Sequence, residues 1–126
     1  MDAVIARLTG SRLQRVQYLD TSVADDDPDW DWDFGDWHLV ELTVRLETDR
    51  GEFNLAWSDR IADGLSVSDA PMTQLEAAEG RLRDASGTGR WAALLAGGAA
   101  IARAELVRAD EVPVAVRLDL GIGSVW

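Results

Sequence analysis

The sequence predicts an α+β domain with an antiparallel or mixed sheet and short helices. Three observations predict it. Residues 38–58 alternate apolar and polar side chains around a turn. Apolar residues near the N-terminus and after Gly89 recur at helical spacing. The order helix, strand, strand, strand occurs twice. At 126 residues the chain fits one domain, 1–126, long enough to bury a core without staples.

Asp2 can cap a short helix with Val4, Ile5 and Leu8 on one face, and Gly10 stops it. Arg12 to Leu19, with Val16 and Tyr18, reads as a strand. From His38 the alternation is strict. Val40, Leu42, Val44 and Leu46 point one way; Glu41, Thr43, Arg45 and Glu47 point the other. Asp49-Arg50-Gly51 is a turn, and Phe53, Leu55 and Trp57 alternate again, so Leu39 to Ser58 is a hairpin. Leu65 and Val67 mark a short strand within Gly64 to Ser68. Pro71 followed by Gln74 to Glu79 predicts a helix with proline near its first turn. Trp91 to Leu95 is a short helix closed by Gly97-Gly98. Ile101 to Val107 and Val112 to Leu120 are strands joined by a turn near Ala109-Asp110-Glu111. Trp57 and Trp91 fall at positions expected to face the core; the burial of Trp126 is left open.

The pieces repeat at two spacings. Val44-Arg45-Leu46-Glu47 matches Val116-Arg117-Leu118-Asp119, and Gly51 matches Gly123, at an offset of 72. Gly10, Leu13 and Leu19 match Gly98, Ile101 and Val107 at 88. The difference, 16, is close to the length of one acidic segment in the first half. The expectation is two repeat units, 1–68 and 90–126, with an acidic insertion at 20–37 in a connection outside the repeated scaffold. The first-half strand after Gly51 runs on through Trp57, whereas its counterpart after Gly123 stops at Trp126, on a truncated strand or where a longer natural chain would continue.

The charge is concentrated in that segment. Asp20 to Asp36 holds eight acidic residues and no basic one, out of a chain total of −11. The remaining 15 acidic and 12 basic residues nearly cancel. Every basic residue is arginine, which fits a high-GC coding bias. An acidic chain with pI near 4.3 is a poor match for nucleic acid, which demands clustered cations. The longest weakly charged apolar run, Trp91 to Ala102, is too short to span a bilayer, which takes about 20 residues. The N-terminus has no basic stretch ahead of its apolar residues, so no secretory signal is expected. Cysteine is absent, excluding disulfides and thiolate metal sites. The expectation is a soluble cytoplasmic protein without a cofactor.

The hairpin His38–Trp57 and the segments Arg90–Gly98 and Val114–Trp126 carry a recognisable pattern. It runs Trp91…Leu95-Ala96-Gly97, then a strand, then Arg117-Leu118-Asp119 and Gly123-Ser124-Val125-Trp126. In these features, over about two thirds of its length, the chain resembles small acidic hypothetical proteins of high-GC bacteria. Such proteins look like immunity or partner-neutralising proteins in general style. The resemblance implies no catalytic residue, and the acidic segment is not part of it.

The acidic segment itself admits several chemistries. If extended, Asp29, Asp31 and Asp33 share one face while Trp30, Trp32 and Phe34 share the other. Like charges at every second residue repel, and a cationic partner relieves that cost. In this reading Asp25, Asp26, Asp27, Asp29, Asp31, Asp33 and Asp36 supply the field, and Trp30, Trp32 and Trp37 the apolar anchors, for a basic, toxin-like protein. Asp29-x-Asp31-x-Asp33 also opens an EF-hand-type calcium loop. There the match breaks, because glycine comes one position late, at Gly35, and Val40 stands where the bidentate glutamate is required. Paired carboxylates could serve glycoside hydrolysis, but nothing beyond the tryptophans points to a sugar cleft. A solvated acidic loop with no specific partner is the bland alternative. His38, the one histidine, has no cysteine or elbow serine to work with and reads as a strand-end residue. Gly87-Thr88-Gly89 and Gly121-Ile122-Gly123 lack the third glycine of a phosphate loop and read as turns. The Arg81-Leu82-Arg83 pair is too small for a nucleic-acid footprint. The expected function is therefore non-enzymatic binding, with calcium binding or a purely structural domain as the alternative.

Overall fold

The computed structural model describes residues 2–20, 38, 42–57, 64–72, 74, 81–87, 89–97, 99–120 and 123–126. Their alternating patterns build β1 (Leu13–Asp20), β2 (Thr43–Thr48), β3 (Gly51–Trp57), β4 (Leu65–Ser68), β5 (Arg81–Asp84), β6 (Ile101–Ala109), β7 (Val112–Leu120) and β8 (Gly123–Val125). Two short helices accompany them, α1 (Asp2–Leu8) and α2 (Gly89–Gly97). The strands form a five-stranded sheet in the order β4-β3-β2-β1-β5 and a three-stranded sheet, β6-β7-β8. All the pairings are antiparallel.

This corrects the expected α+β class. Among the described residues the chain is nearly all-β, with helices of 7 and 9 residues that are too short to make a layer. One unexpected strand shifts the balance. β5 is four residues long and exists because it pairs with β1 through Gln17↔Asp84 and Leu19↔Leu82, a long-range contact that no local pattern announces. β8, the short strand expected after Gly123, is three residues long. Of the helix expected from Pro71 to Glu79, only Pro71, Met72 and Gln74 fall within the described residues. The strand expected from Leu39 begins at Thr43, and residues 39–41 lie outside the described residues. No described helix is long and apolar enough to cross a membrane.

The two meanders β1-β2-β3 and β6-β7-β8 have the same register. Adding 88 to β1 and 72 to β2 turns Val16↔Leu46 and Tyr18↔Val44 into Ala104↔Leu118 and Leu106↔Val116. Adding 72 throughout turns Leu46↔Phe53 and Thr48↔Gly51 into Leu118↔Val125 and Leu120↔Gly123. The irregularity between Leu13 and Arg15 has its counterpart between Ile101 and Arg103. The halves meet where Arg12 bridges Ala100, residues also 88 apart. On either side the Leu13 amide donates to the Ala99 carbonyl (2.7 Å) and the Ile101 amide to the Ser11 carbonyl (2.9 Å). Such reciprocity is the mark of a local twofold axis. Each helix crosses over it: α1 packs on β6, and α2 on β1 and β8.

One core joins both sheets. Val16, Leu46 and Phe53 from the first meet Leu118, Leu120 and Val125 from the second, closed by Leu8 of α1 and Leu94 of α2. The sheets touch at Gly64, whose φ of 64° suits glycine and where a Cβ would collide with the Pro113 carbonyl and Val112 Cγ1. On β3, Glu52 ties neighbouring elements together. It accepts from Arg45 Nε (2.8 Å), Asn54 Nδ2 (2.8 Å) and the Met72 amide (2.6 Å). Burial alone would raise its carboxyl; the bonds from Asn54 and Met72 and the Arg45 charge overcome this and hold it below the ordinary glutamate range.

Two outcomes are expected. The β6–β7 turn places Asp110 (φ 49°) and Glu111 (φ 68°) in the left-handed region, a type I′ geometry that favours glycine at its second position. Glu111→Gly should therefore stabilise the chain by about 1 kcal/mol in a urea titration. Because the folded-state pKa of Glu52 is lowered, its contribution is full above the unfolded value and lost as pH falls through the folded one. Urea midpoints measured from neutral pH down past the ordinary ~4.3 should decline. Glu52→Gln should flatten part of that decline, leaving the part due to Asp84, which the Ser86 amide holds low.

Candidate functional site

The residues expected to bind a partner, Asp25, Asp26, Asp27, Asp29, Trp30, Asp31, Trp32, Asp33, Asp36 and Trp37, all lie outside the described residues. So does the Asp29-Asp31-Asp33 calcium spacing. The residues at either end are described. Asp20 closes β1, and His38 resumes beside the C-terminus, its amide donating to the Trp126 carbonyl at 2.9 Å. Among the described residues no three His, Cys, Asp or Glu side chains cluster to hold a metal ion.

His38 also enters a chain of polar aromatic groups. Trp91 Nε1 donates to Tyr18 Oη at 2.7 Å, and Tyr18 Oη lies 2.8 Å from His38 Nδ1, in a bond whose direction follows the imidazole tautomer. The His38 ring sits edge-on to Tyr18 (centroids 6.1 Å, 66°) and to Trp91 (5.9 Å, 62°). The elements explain the meeting. Tyr18 faces inward from β1 by strand alternation, Trp91 comes from the first turn of α2, and the α2 crossover lays one over the other.

These three rings form one end of a cavity of about 190 Å³ between the sheets. Val44, Leu46 and Leu55 wall it on one side, and Val116, Leu118 and Val125 on the other. Trp57, Val114 and Trp126 line it as well and are 43%, 40% and 41% exposed, so they form its rim. The Arg117 guanidinium lies 4.9 Å from the centroid of the Trp126 ring and holds it in place. With this rim exposed the cavity opens to solvent, and larger side chains at Val44 or Val116 would fill it.

The cavity corrects one expectation. Trp57, expected in the core, is exposed and stands at the rim, at the last position of β3. His38, read as a strand-end residue, is half-buried against Tyr18 and Trp91. Trp91 is buried as expected, at 3% exposure. Tyr18 falls on the strand expected from Arg12 to Leu19, but nothing in the spacing of 18, 38 and 91 joins the three residues.

The Tyr18 hydroxyl is the acceptor of a buried indole N–H. Tyr18→Phe should cost about 1–3 kcal/mol in a denaturant titration, because it strands that donor. The double variant Tyr18→Phe/Trp91→Phe should cost less than the sum of the two single changes.

No protein-family model matches the chain, and neither the curated proteins nor the solved structures include one detectably similar to it. The resemblance to small acidic bacterial proteins therefore gains no support from them.

Proposed function

We propose that the chain is a non-enzymatic binding protein of the bacterial cytoplasm that recognises and neutralises a basic protein partner, in the style of an immunity protein. One observation carries the reading. Leu19 and its ladder partner Thr43 lie 24 residues apart in sequence; the corresponding pair, Val107 and Ala115, lie 8 apart. The two meanders agree in register, so the excess of 16 residues is where the halves part company, and eight of the chain's acidic residues lie between Asp20 and Asp36. Read as two copies of one unit, 1–68 and 90–126, the scaffold is the shared part and the acidic segment is the addition.

The chemistry of the addition favours a cationic protein. Asp25, Asp26, Asp27, Asp29, Asp31, Asp33 and Asp36 supply a dense negative field that speeds encounter with a basic surface. Trp30, Trp32 and Trp37 supply the large apolar anchors that interfaces concentrate. Trp37 immediately precedes His38 in sequence, and the His38 amide bonds the Trp126 carbonyl at the rim of the cavity.

A pull-down from the native host, with the chain as bait, should recover a basic protein. Its affinity should fall about tenfold or more between low and physiological salt. The triple change Asp29→Asn, Asp31→Asn, Asp33→Asn should weaken it similarly. Binding that ignores both salt and the substitutions would sink the proposal. A chelator-reversible rise in melting temperature with calcium would assign the same carboxylates to a metal instead.

A further inference from the structure

We infer that the cavity between the two sheets is a binding site for a small uncharged molecule with a flat apolar body and one hydrogen-bonding group, a substituted phenol or an indole in chemical class. The inference stands apart from the acidic-segment proposal and uses none of that segment's residues.

Size sets the first limit. A cavity of about 150 Å³ accommodates benzene; at about 190 Å³ this one accepts a ring with a substituent or a fused second ring. Charge sets the second. No arginine, aspartate or glutamate is among the described residues that line it. An ionised ligand would lose its hydration there without a counter-charge. The position of the polar atoms orients the guest. The walls are valine and leucine, and the polar lining gathers at the end made by Tyr18, His38 and Trp91. A hydroxyl or indole N–H belongs at that end, with the ring against Val116 and Leu55.

The rim makes the same case from outside. Three large hydrophobic side chains are exposed among the described residues, Trp57, Val114 and Trp126, and all three line this cavity. Scattered exposed apolar residues need no explanation, but a set gathered at one opening marks an entrance. Trp126 is held there by Arg117, whose Nε bonds Asp119 at 2.9 Å, so the opening is built rather than frayed.

The test uses the whole chain and 4-fluorophenol, observed by fluorine NMR. Saturable binding is expected with a Kd on the order of 1 mM or tighter. The charged analogue 4-fluorobenzoate should bind at least about tenfold more weakly. Val116→Phe fills the space from β7 and should abolish binding while the near-ultraviolet circular dichroism shows a folded core. Val44→Phe fills it from the opposite sheet and decides the matter if the first variant does not fold. Absence of saturable binding, equal affinity for the benzoate, or affinity untouched by the filling variants overturns the inference. So does probe affinity that falls as the chain dimerises, since a second copy would then occupy the mouth.

Discussion

The described structure depends on a reciprocal backbone exchange between the two halves. Leu13 bonds to Ala99 and Ile101 to Ser11 across the Arg12–Ala100 bridge, so the start of each meander is held by the segment that leads into the other. An antiparallel pair of this kind fixes both position and direction. It sends α1 onto β6 and α2 onto β1, and neither meander is then covered by its own helix alone. Each meander has one apolar face, and packing it against the other half and the helices takes that face out of water. The halves therefore complete each other, and the shared core of Val16, Leu46, Leu118 and Leu120 follows from that exchange.

The parts of this fold that rest on local pattern were legible in the sequence. Val44, Leu46, Phe53 and Leu55 alternate because one face of a strand is buried, and they are buried. Glycine at position 51 opens β3, and Gly97 ends α2. What stayed hidden is what only tertiary contact creates. Arg81 to Asp84 has no alternation of its own to reveal β5; the free edge of β1 recruits it. The edge strands β4, β6 and β8 carry a local signal, whereas β5 carries none, and the two helices stay too short to make a layer, so the class is nearly all-β. The site was hidden more deeply. Tyr18, His38 and Trp91 converge through a helix crossover, and a cavity is a property of the spacing between sheets, which hydrophobic periodicity does not encode.

Where the two meanders agree, the residues are those of a generic sheet; where they differ, chemistry gathers. Tyr18 of β1 corresponds to Leu106 of β6, an apolar side chain packed against the core. The substitution of a phenol for an isobutyl group gives the first half a hydrogen-bonding group at a position the second half leaves apolar. His38, the group it bonds, belongs to the connection between β1 and β2, and the matching connection between β6 and β7 is the short turn at Asp110-Glu111. Both partners of that hydrogen bond are therefore peculiar to one half.

This asymmetry also explains why the polar end of the cavity lies where it does. A buried Tyr–His contact needs a backbone that brings the histidine to a fixed place, because an imidazole on an untethered chain would lose that geometry to conformational entropy. The His38 amide has such a tether in the Trp126 carbonyl, and Trp126 is itself held by Arg117. The histidine that makes the polar end of the cavity and the indole at its mouth are therefore fixed to each other by one backbone bond, and the geometry of the opening follows from it.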